Sequence, residues 1–356
     1  MNQADNSFRA GRRQARQLDL KHGRIELTHG AGGRAMADLI DLVFRRAFDN
    51  PLLNQANDQA CFDLAAGRMV MSTDSFVISP LFFPGGDIGS LAVHGTVNDL
   101  AMGGAQPLYL TAGFILEEGL PLADLARIVD SMAAAAREAG VLVITGDTKV
   151  VERGKGDGVF INTAGIGRVA QGVDISGDRA RAGNRILVSG TLGDHGVAIM
   201  SLRKGLTFET TLQSDCASLH RLVERMVNRA GSGIRVMRDP TRGGLAATLN
   251  EIADQSGVGI RLHENALPIR PEVRGACELL GLDPLNVANE GKLVAIVDAD
   301  CADALLQAMR EDPHGADAAI IGEVIDDPMR LVRMETRIGG ERVIDWLHGE
   351  QLPRIC

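Results

Sequence analysis

The sequence predicts an α/β protein of two domains followed by a short tail, and three observations carry that expectation. The chain has 356 residues, more than a single hydrophobic core usually serves. Amphipathic helical stretches alternate with short apolar, strand-like runs along its length. A fresh series of such units starts near Arg185, which puts the domain boundary near residue 180.

Residues 1–24 lean basic, with Arg9, Arg12, Arg13, Arg16, Lys21 and Arg24, and read as a solvated, disordered extension. The first domain, 25–180, opens with the glycine-rich turn Thr28-His29-Gly30-Ala31-Gly32-Gly33. An amphipathic helix follows, marked by Met36, Leu39, Ile40, Val43, Phe44 and Ala47. Met69 to Ile78 reads as a strand, and Pro84-Gly85-Gly86 leads into a helix from about Asp87 to Met102. Pro121 starts a third helix and Gly140 stops it. The apolar run Val141 to Thr145 is then a strand, ended by Gly146-Asp147.

In the second domain, 181–345, strands are expected at Ile186-Leu187-Val188, Leu293 to Val297 and Ala319 to Ile325. The last segment, 346–356, carries Pro353, has nothing after it to pack against, and reads as a mobile tail.

Composition narrows the classes of function. A net charge of -9 argues against nucleic acid as the main partner, because binding a phosphate backbone needs a concentrated Lys/Arg surface. The Arg12-Arg13 pair lacks the apolar run of an export signal, and no apolar stretch approaches a membrane span, so a cytoplasmic protein with no membrane contact is expected. Cys61, Cys216, Cys277, Cys301 and Cys356 are far apart and odd in number, which fits reduced thiols.

Asp63, Asp74, Asp99 and Asp147 fall near expected strand and helix ends beside glycine-rich turns. One such aspartate is ordinarily a helix or turn cap, whereas the four together suggest a hard cation such as Mg²⁺ shared with substrate phosphates. Gly30, Gly32 and Gly33 present backbone N–H groups where a helix begins, which suits a phosphate. Lys149 follows Asp147 and Thr148 and can supply a point charge to a phosphate. The stretch 239–246, reading DPTRGGLA, sets Arg242 and free amides before an apolar helix as an anion site. Glu290, before a strand, can act as a general base or sit in a surface turn. His94 and His195 are the notable histidines. The terminal Cys356 lies in the wrong place for prenylation, and a thiol at the end of a flexible tail suits a carrier.

Taken together, HGAGGRAM at 29–36, the run from Ser72 to Gly104, GDTKVV at 146–151, DPTRGGLA, Asn289-Glu290-Gly291 and the closing PRIC resemble the hydrogenase maturation carbamoyl dehydratases of the PurM-like superfamily. The likeness covers residues 28–356. It implies a PurM-like architecture, with an N-terminal domain whose β-sheet makes a homodimer and a C-terminal α/β domain. It implies ATP and Mg²⁺, loading of Cys356 by the carbamoyltransferase HypF, and delivery of cyanide to the HypC-HypD scaffold complex. The activity implied is dehydration of an S-carbamoyl group on Cys356 to a thiocyanate.

By the same resemblance, Asp74, Asp99 and Asp147 hold Mg²⁺ or nucleotide and the turn of Gly30, Gly32 and Gly33 contacts phosphates; Asn98, Thr148 and Arg242 are counted with the nucleotide contacts, and Asp63 with the metal candidates. Lys149 contacts phosphate, and Glu290 or His94 removes N–H protons. A selenophosphate synthetase is the enzymatic alternative, although residues 23–36 lack the reactive cysteine expected there. A non-catalytic carrier of Cys356 is the other.

Overall fold

The computed structural model describes residues 18–55, 57, 59–64, 66–205, 212–346 and 354–356. Residues 1–17 and 347–353, on which most of the expected extension and tail fall, lie outside the described residues. Residues 18–24 depart from the disorder expected of them. Gly23 donates to the Asp19 carbonyl, Arg24 bridges to Pro121, and the Leu122 N–H returns to the Gly23 carbonyl.

The first domain is built on the four-stranded sheet β1 (Met69–Phe76), β4 (Ala105–Glu117), β5 (Leu142–Val151) and β6 (Val159–Val169), in the order β1-β6-β4-β5. The hairpin strands β2 (Phe82–Phe83) and β3 (Gly86–Asp87) stand apart from it. Helix α1 (Arg34–Leu39) runs on through a π-helical turn at Ile40–Arg45 to Arg46–Phe48. Helix α2 (Ile88–Met102) starts where Asp87 accepts from the N–H groups of Gly89 and Ser90, a capping box that fixes its first turn. Helix α3 (Leu122–Ala139) ends at Gly140, whose φ of 70° only glycine adopts without strain.

α2 and α3 cover one face of this sheet and build the larger core. The opposite face leaves Met71, Thr73, Ser75, Ile115 and Asn162 at the surface. β4 and β5 pair in parallel through the α3 crossover. The strand expected to end at Gly146-Asp147 runs on to Val151. Gly146 belongs inside it because a Cβ there would meet the Ala112 carbonyl oxygen of β4 at 2.2 Å.

The second domain holds a seven-stranded sheet of β7 (Arg185–Val188), β8 (Ile234–Arg238), β9 (Gly259–His263), β10 (Val294–Val297), β11 (Ala319–Ile325), β12 (Val332–Glu335) and β13 (Glu341–Val343). Their order is β13-β12-β9-β11-β7-β10-β8. Helices α4 (Asp194–Lys204), α5 (His220–Ala230), α6 (Gly244–Ser256), α7 (Pro271–Leu280) and α8 (Ala302–Arg310) complete the domain. Ala101 and Met102 of α2 pack into the core formed by α5, α8 and β10, so the domains share apolar contact. No described helix is long and apolar enough to cross a membrane.

Candidate active site

The expected site residues separate into two groups within one chain. Cross-strand partners share a face of a sheet, and Asp147 pairs with Gly113, Gly113 with Asn162, and Asn162 with Ser75. Asp147 and Lys149 therefore lie on the open face at the β5 edge. Asp74, one residue from Ser75, points to the helix-covered face at the β1 edge. Three interstrand spacings, roughly 14 Å, separate the two edges.

At the β5 edge, Lys149 Nζ bonds Asp147 at 2.8 Å, and both side chains are largely exposed. Lys149 is the chief cause holding the Asp147 carboxyl below its usual range. Thr148 is buried on the other face. The glycine turn abuts this strand, since a Cβ on Gly30 would meet Val150 at 2.9 Å. Gly32, with φ of 75°, and Gly33 leave open space where a Cβ would stand. Beside them is a cavity of about 440 Å³ lined by Met36, Ile40, Phe44, Ile144, Asp147 and Thr148.

The second group lines the cleft between the domains. Ser72 Oγ donates to Asp99 at 2.6 Å, and a Cβ on Gly95 would stand 3.8 Å from Asp74 Oδ2, so both carboxyls border α2. Burial lifts the pKa of the Asp74 and Asp99 carboxyls above its usual range, so both hold their protons more tightly than an exposed aspartate. Asp239 is pushed up to about 7, by burial first and then by Asp99. Glu290 is fully desolvated, and Asp239, Asp215, Asp74 and Asp99 add to the burial that raises its carboxyl well above the ordinary value. Its Oε1 has no hydrogen-bond partner. Arg242, exposed on the turn before α6, opposes the rise at Asp74 and at Cys356.

Residues 354–356, the end of the expected tail, are docked in the same cleft. Val77 N–H donates to the Cys356 carbonyl at 3.1 Å and Ser79 N–H to the Arg354 carbonyl at 3.4 Å. Ile355 is buried in the larger core, with 3% of its surface exposed, and Arg354 pairs with Asp157. Burial, then Glu290, lifts the Cys356 thiol well above its usual range.

Other assignments change. Among the described residues no three His, Cys, Asp or Glu side chains converge to hold a metal ion, so Asp63, Asp74, Asp99 and Asp147 are not one ligand set in a single chain. Asp63 is an exposed loop residue, and sheet order keeps Asp147 from Asp74. Asn98 is an interdomain clamp, not a free ligand contact. It donates to the carbonyls of Ala217 (3.0 Å) and Glu290 (3.3 Å) and accepts from Leu219 N–H (2.7 Å). His94 is buried, bonded to Ser218 Oγ at 2.6 Å, and lowered to about 4, chiefly by burial.

The sequence reading missed Asp239, the buried pair Lys292–Asp215 at 3.2 Å, and any role for His195. Asp239 opens the DPTRGGLA stretch, so its signal was present.

A sheet with one helix-covered and one open face, a second α/β domain, and carboxylates in the cleft between them define an AIR synthase related protein. The N-terminal domain of that family matches residues 56–169 and its C-terminal domain residues 181–333. Within this class the chain belongs to the HypE family, which bears out the resemblance carried by its motifs. It is 65% identical over 341 residues to carbamoyl dehydratase HypE of Bradyrhizobium diazoefficiens, covering 96% of this chain and 99% of the relative. It superposes on the crystal structure of hydrogenase maturation protein HypE in complex with ATP with a TM-score of 0.90 at 55% identity, over 93% of this chain and 99% of that one. It is also similar to a chain of the HypE-HypF complex, with a TM-score of 0.77 at 51% identity, over 87% and 99% of the two chains.

Proposed function

We propose that this chain is the ATP-dependent carbamoyl dehydratase of hydrogenase maturation, converting an S-carbamoyl group on Cys356 to a thiocyanate. The observation that carries the reading is the docked tail, which brings the carrier thiol beside Glu290 in a carboxylate-lined cleft.

A carbamoyl oxygen is a poor leaving group, and phosphorylation makes it a good one. The oxygen attacks the γ-phosphorus of ATP, ADP departs, and the nitrogen loses one proton to give an S-bound imidic phosphate. Loss of the second N–H proton as the C–O bond breaks releases inorganic phosphate and leaves S–C≡N. Two proton removals thus need a base beside the thiol.

Of the two candidates, Glu290 fits better. Its carboxyl is raised by burial and has an unpartnered oxygen, so once ionised it is a stronger base than a surface glutamate. His94, lowered to about 4 and already bonded to Ser218, is the weaker base.

The β5 edge suits the nucleotide. The 440 Å³ cavity has Phe44 and Ile40 for a base, with the Gly30–Gly33 turn and Lys149 close by for phosphates. Mg²⁺, which takes one or two carboxylates plus phosphate oxygens, fits Asp74 and Asp99, and it would neutralise charge on the phosphates. Because the two groups lie apart in one chain, we propose a homodimer formed by the open sheet faces, in which Asp147 and Lys149 of one copy serve the cleft of the other.

HypF as the loading partner, the HypC-HypD complex as the acceptor, and a cytoplasmic setting complete the reading. Cys356 must leave its buried position to be loaded, so the tail has two working positions. Purified chain, loaded by its carbamoyltransferase, is expected to hydrolyse ATP only while Cys356 carries the carbamoyl group. ATP turnover unaffected by loading, or retained in Cys356→Ala, would contradict the proposal.

A further inference from the structure

A tail that travels between two positions needs something to fix where its thiol comes to rest. Its two backbone hydrogen bonds, from Val77 and Ser79 N–H, resemble a short strand ladder that alone would tolerate a slip in register, and the half-buried Arg203 guanidinium donates to the Arg354 carbonyl beside them. A fully buried side chain that recognises the next carbonyl, the one adjoining the cysteine, fixes the thiol more closely than that partly exposed contact does.

His195, in the first turn of α4, has no exposed surface. Its Nε2 lies 2.8 Å from the carbonyl oxygen of Ile355, the residue before the carrier cysteine, and its Nδ1 lies 2.8 Å from Ser214 Oγ. A carbonyl only accepts, so Nε2 carries the proton, and in the neutral ring Nδ1 accepts from the Ser214 hydroxyl. Ser214 Oγ accepts in turn from Cys216 N–H at 3.1 Å, and Ser214 N–H donates to the Pro84 carbonyl at 2.8 Å. Phe83 meets the imidazole edge-on, with ring centroids 5.7 Å apart. Burial holds the ring neutral against the opposing pull of Asp215. The donor is therefore aimed and its tautomer set by groups that do not belong to the tail.

We infer that His195 is a positioning residue of the carrier tail, a preset N–H donor, aimed by Ser214 and Phe83, that captures the Ile355 carbonyl and registers Cys356 in the cleft. It touches neither the thiol nor its cargo. The inference rests on the reading of Cys356 as carrier, but docking can be measured without the reaction.

The experiment follows alkylation of the full chain by N-ethylmaleimide, read from the masses of the peptides bearing Cys356 and Cys277. Loss of one buried hydrogen bond in His195→Ala is expected to speed alkylation of Cys356 roughly three- to tenfold. Cys277, buried in a second-domain cluster that contains no tail residue, should keep its wild-type rate. His195→Gln, which retains an N–H donor, should return Cys356 most of the way to the wild-type rate. An unchanged Cys356 rate in His195→Ala overturns the inference, as does a Gln variant that reacts as fast as the Ala variant.

Should His195→Ala fail to fold, Ser214→Ala decides. It leaves the imidazole but releases its tautomer, so Cys356 should react faster, and an unchanged rate again overturns the inference. With carbamoyltransferase and ATP, His195→Ala should load at the wild-type rate or faster yet dehydrate more slowly. If wild type never dehydrates while the alkylation pattern holds, the functional reading fails and the positioning role stands.

Discussion

Asp74 and Asp147 sit on the two edge strands of one four-stranded sheet and face opposite sides of it. Under the proposed dimer, a single nucleotide-metal site that uses both would draw them from two copies of the chain, meeting through the face that carries Met71, Ile115 and Asn162.

Mixed subunits test this arrangement. Asp74→Asn and Lys149→Ala should each lower dehydration by about a hundredfold or more, as loss of a group that stabilises transferring phosphate does. Unfolding and refolding an equimolar mixture should restore about a quarter of wild-type activity, since half the dimers are mixed and each has one intact site of two. Activity that stays at the level of the single variants would place both residues in one subunit's site.

Glu290 is expected to matter to the chemistry and to the thiol. Glu290→Gln should slow dehydration by about 10²–10⁴-fold, the usual range for a general base, with little change in ATP affinity. Because the Glu290 carboxylate raises the Cys356 thiol, its removal should also move the alkaline midpoint of Cys356 alkylation to lower pH. A midpoint that does not move would mean the carboxyl is not beside the docked thiol.

The carboxylates of the cleft set a pH dependence of stability. Asp239, at about 7, and Glu290 have folded-state values above those of the unfolded chain. Their contribution is complete below about pH 4 and is lost as the pH rises through the folded values. His94, lowered to about 4, has the opposite sign: its contribution is present above about pH 6.5 and is lost as the pH falls toward 4. Between these limits the two oppose each other, and above about pH 6.5 only the carboxyl effect remains. The chain free of nucleotide and metal should therefore melt at lower temperature at pH 8 than at pH 6.5, and Asp239→Asn should shrink the difference. An equal or larger difference in that variant would contradict the assignment.

Asn98 separates a clamp from a ligand contact. Asn98→Ala leaves the Leu219 N–H and two carbonyls of the domain interface unpaired, at a cost of about 2–4 kcal/mol. Thermal melting of the nucleotide-free chain should fall accordingly, while the folded fraction binds ATP as wild type does. A melting temperature unchanged with ATP affinity lost would restore Asn98 to the nucleotide site.

Helix α2 was legible in the sequence because its punctuation is local: Asp87 caps its start and Gly103 stands just past its end. β5 was cut short because Gly146 looks like a stop from within its own strand, whereas its reason lies across the ladder at Ala112. The motifs around Asp74, Asp99 and Glu290 named groups that the fold does bring to one cleft. The separation of Asp147 from them comes from strand order, which no local pattern encodes. The docked tail was hidden for the same reason: Ile355 is held by a histidine 160 residues earlier in the chain.

The most direct measurement is the mass of the C-terminal peptide bearing Cys356, after loading by the carbamoyltransferase and then with or without ATP and Mg²⁺. The carbamoyl adduct should persist without ATP and lose the mass of one water when ATP is added, with Cys356→Ala showing neither species. A peptide that is never modified, or that stays carbamoylated in the presence of ATP, would contradict the dehydratase reading.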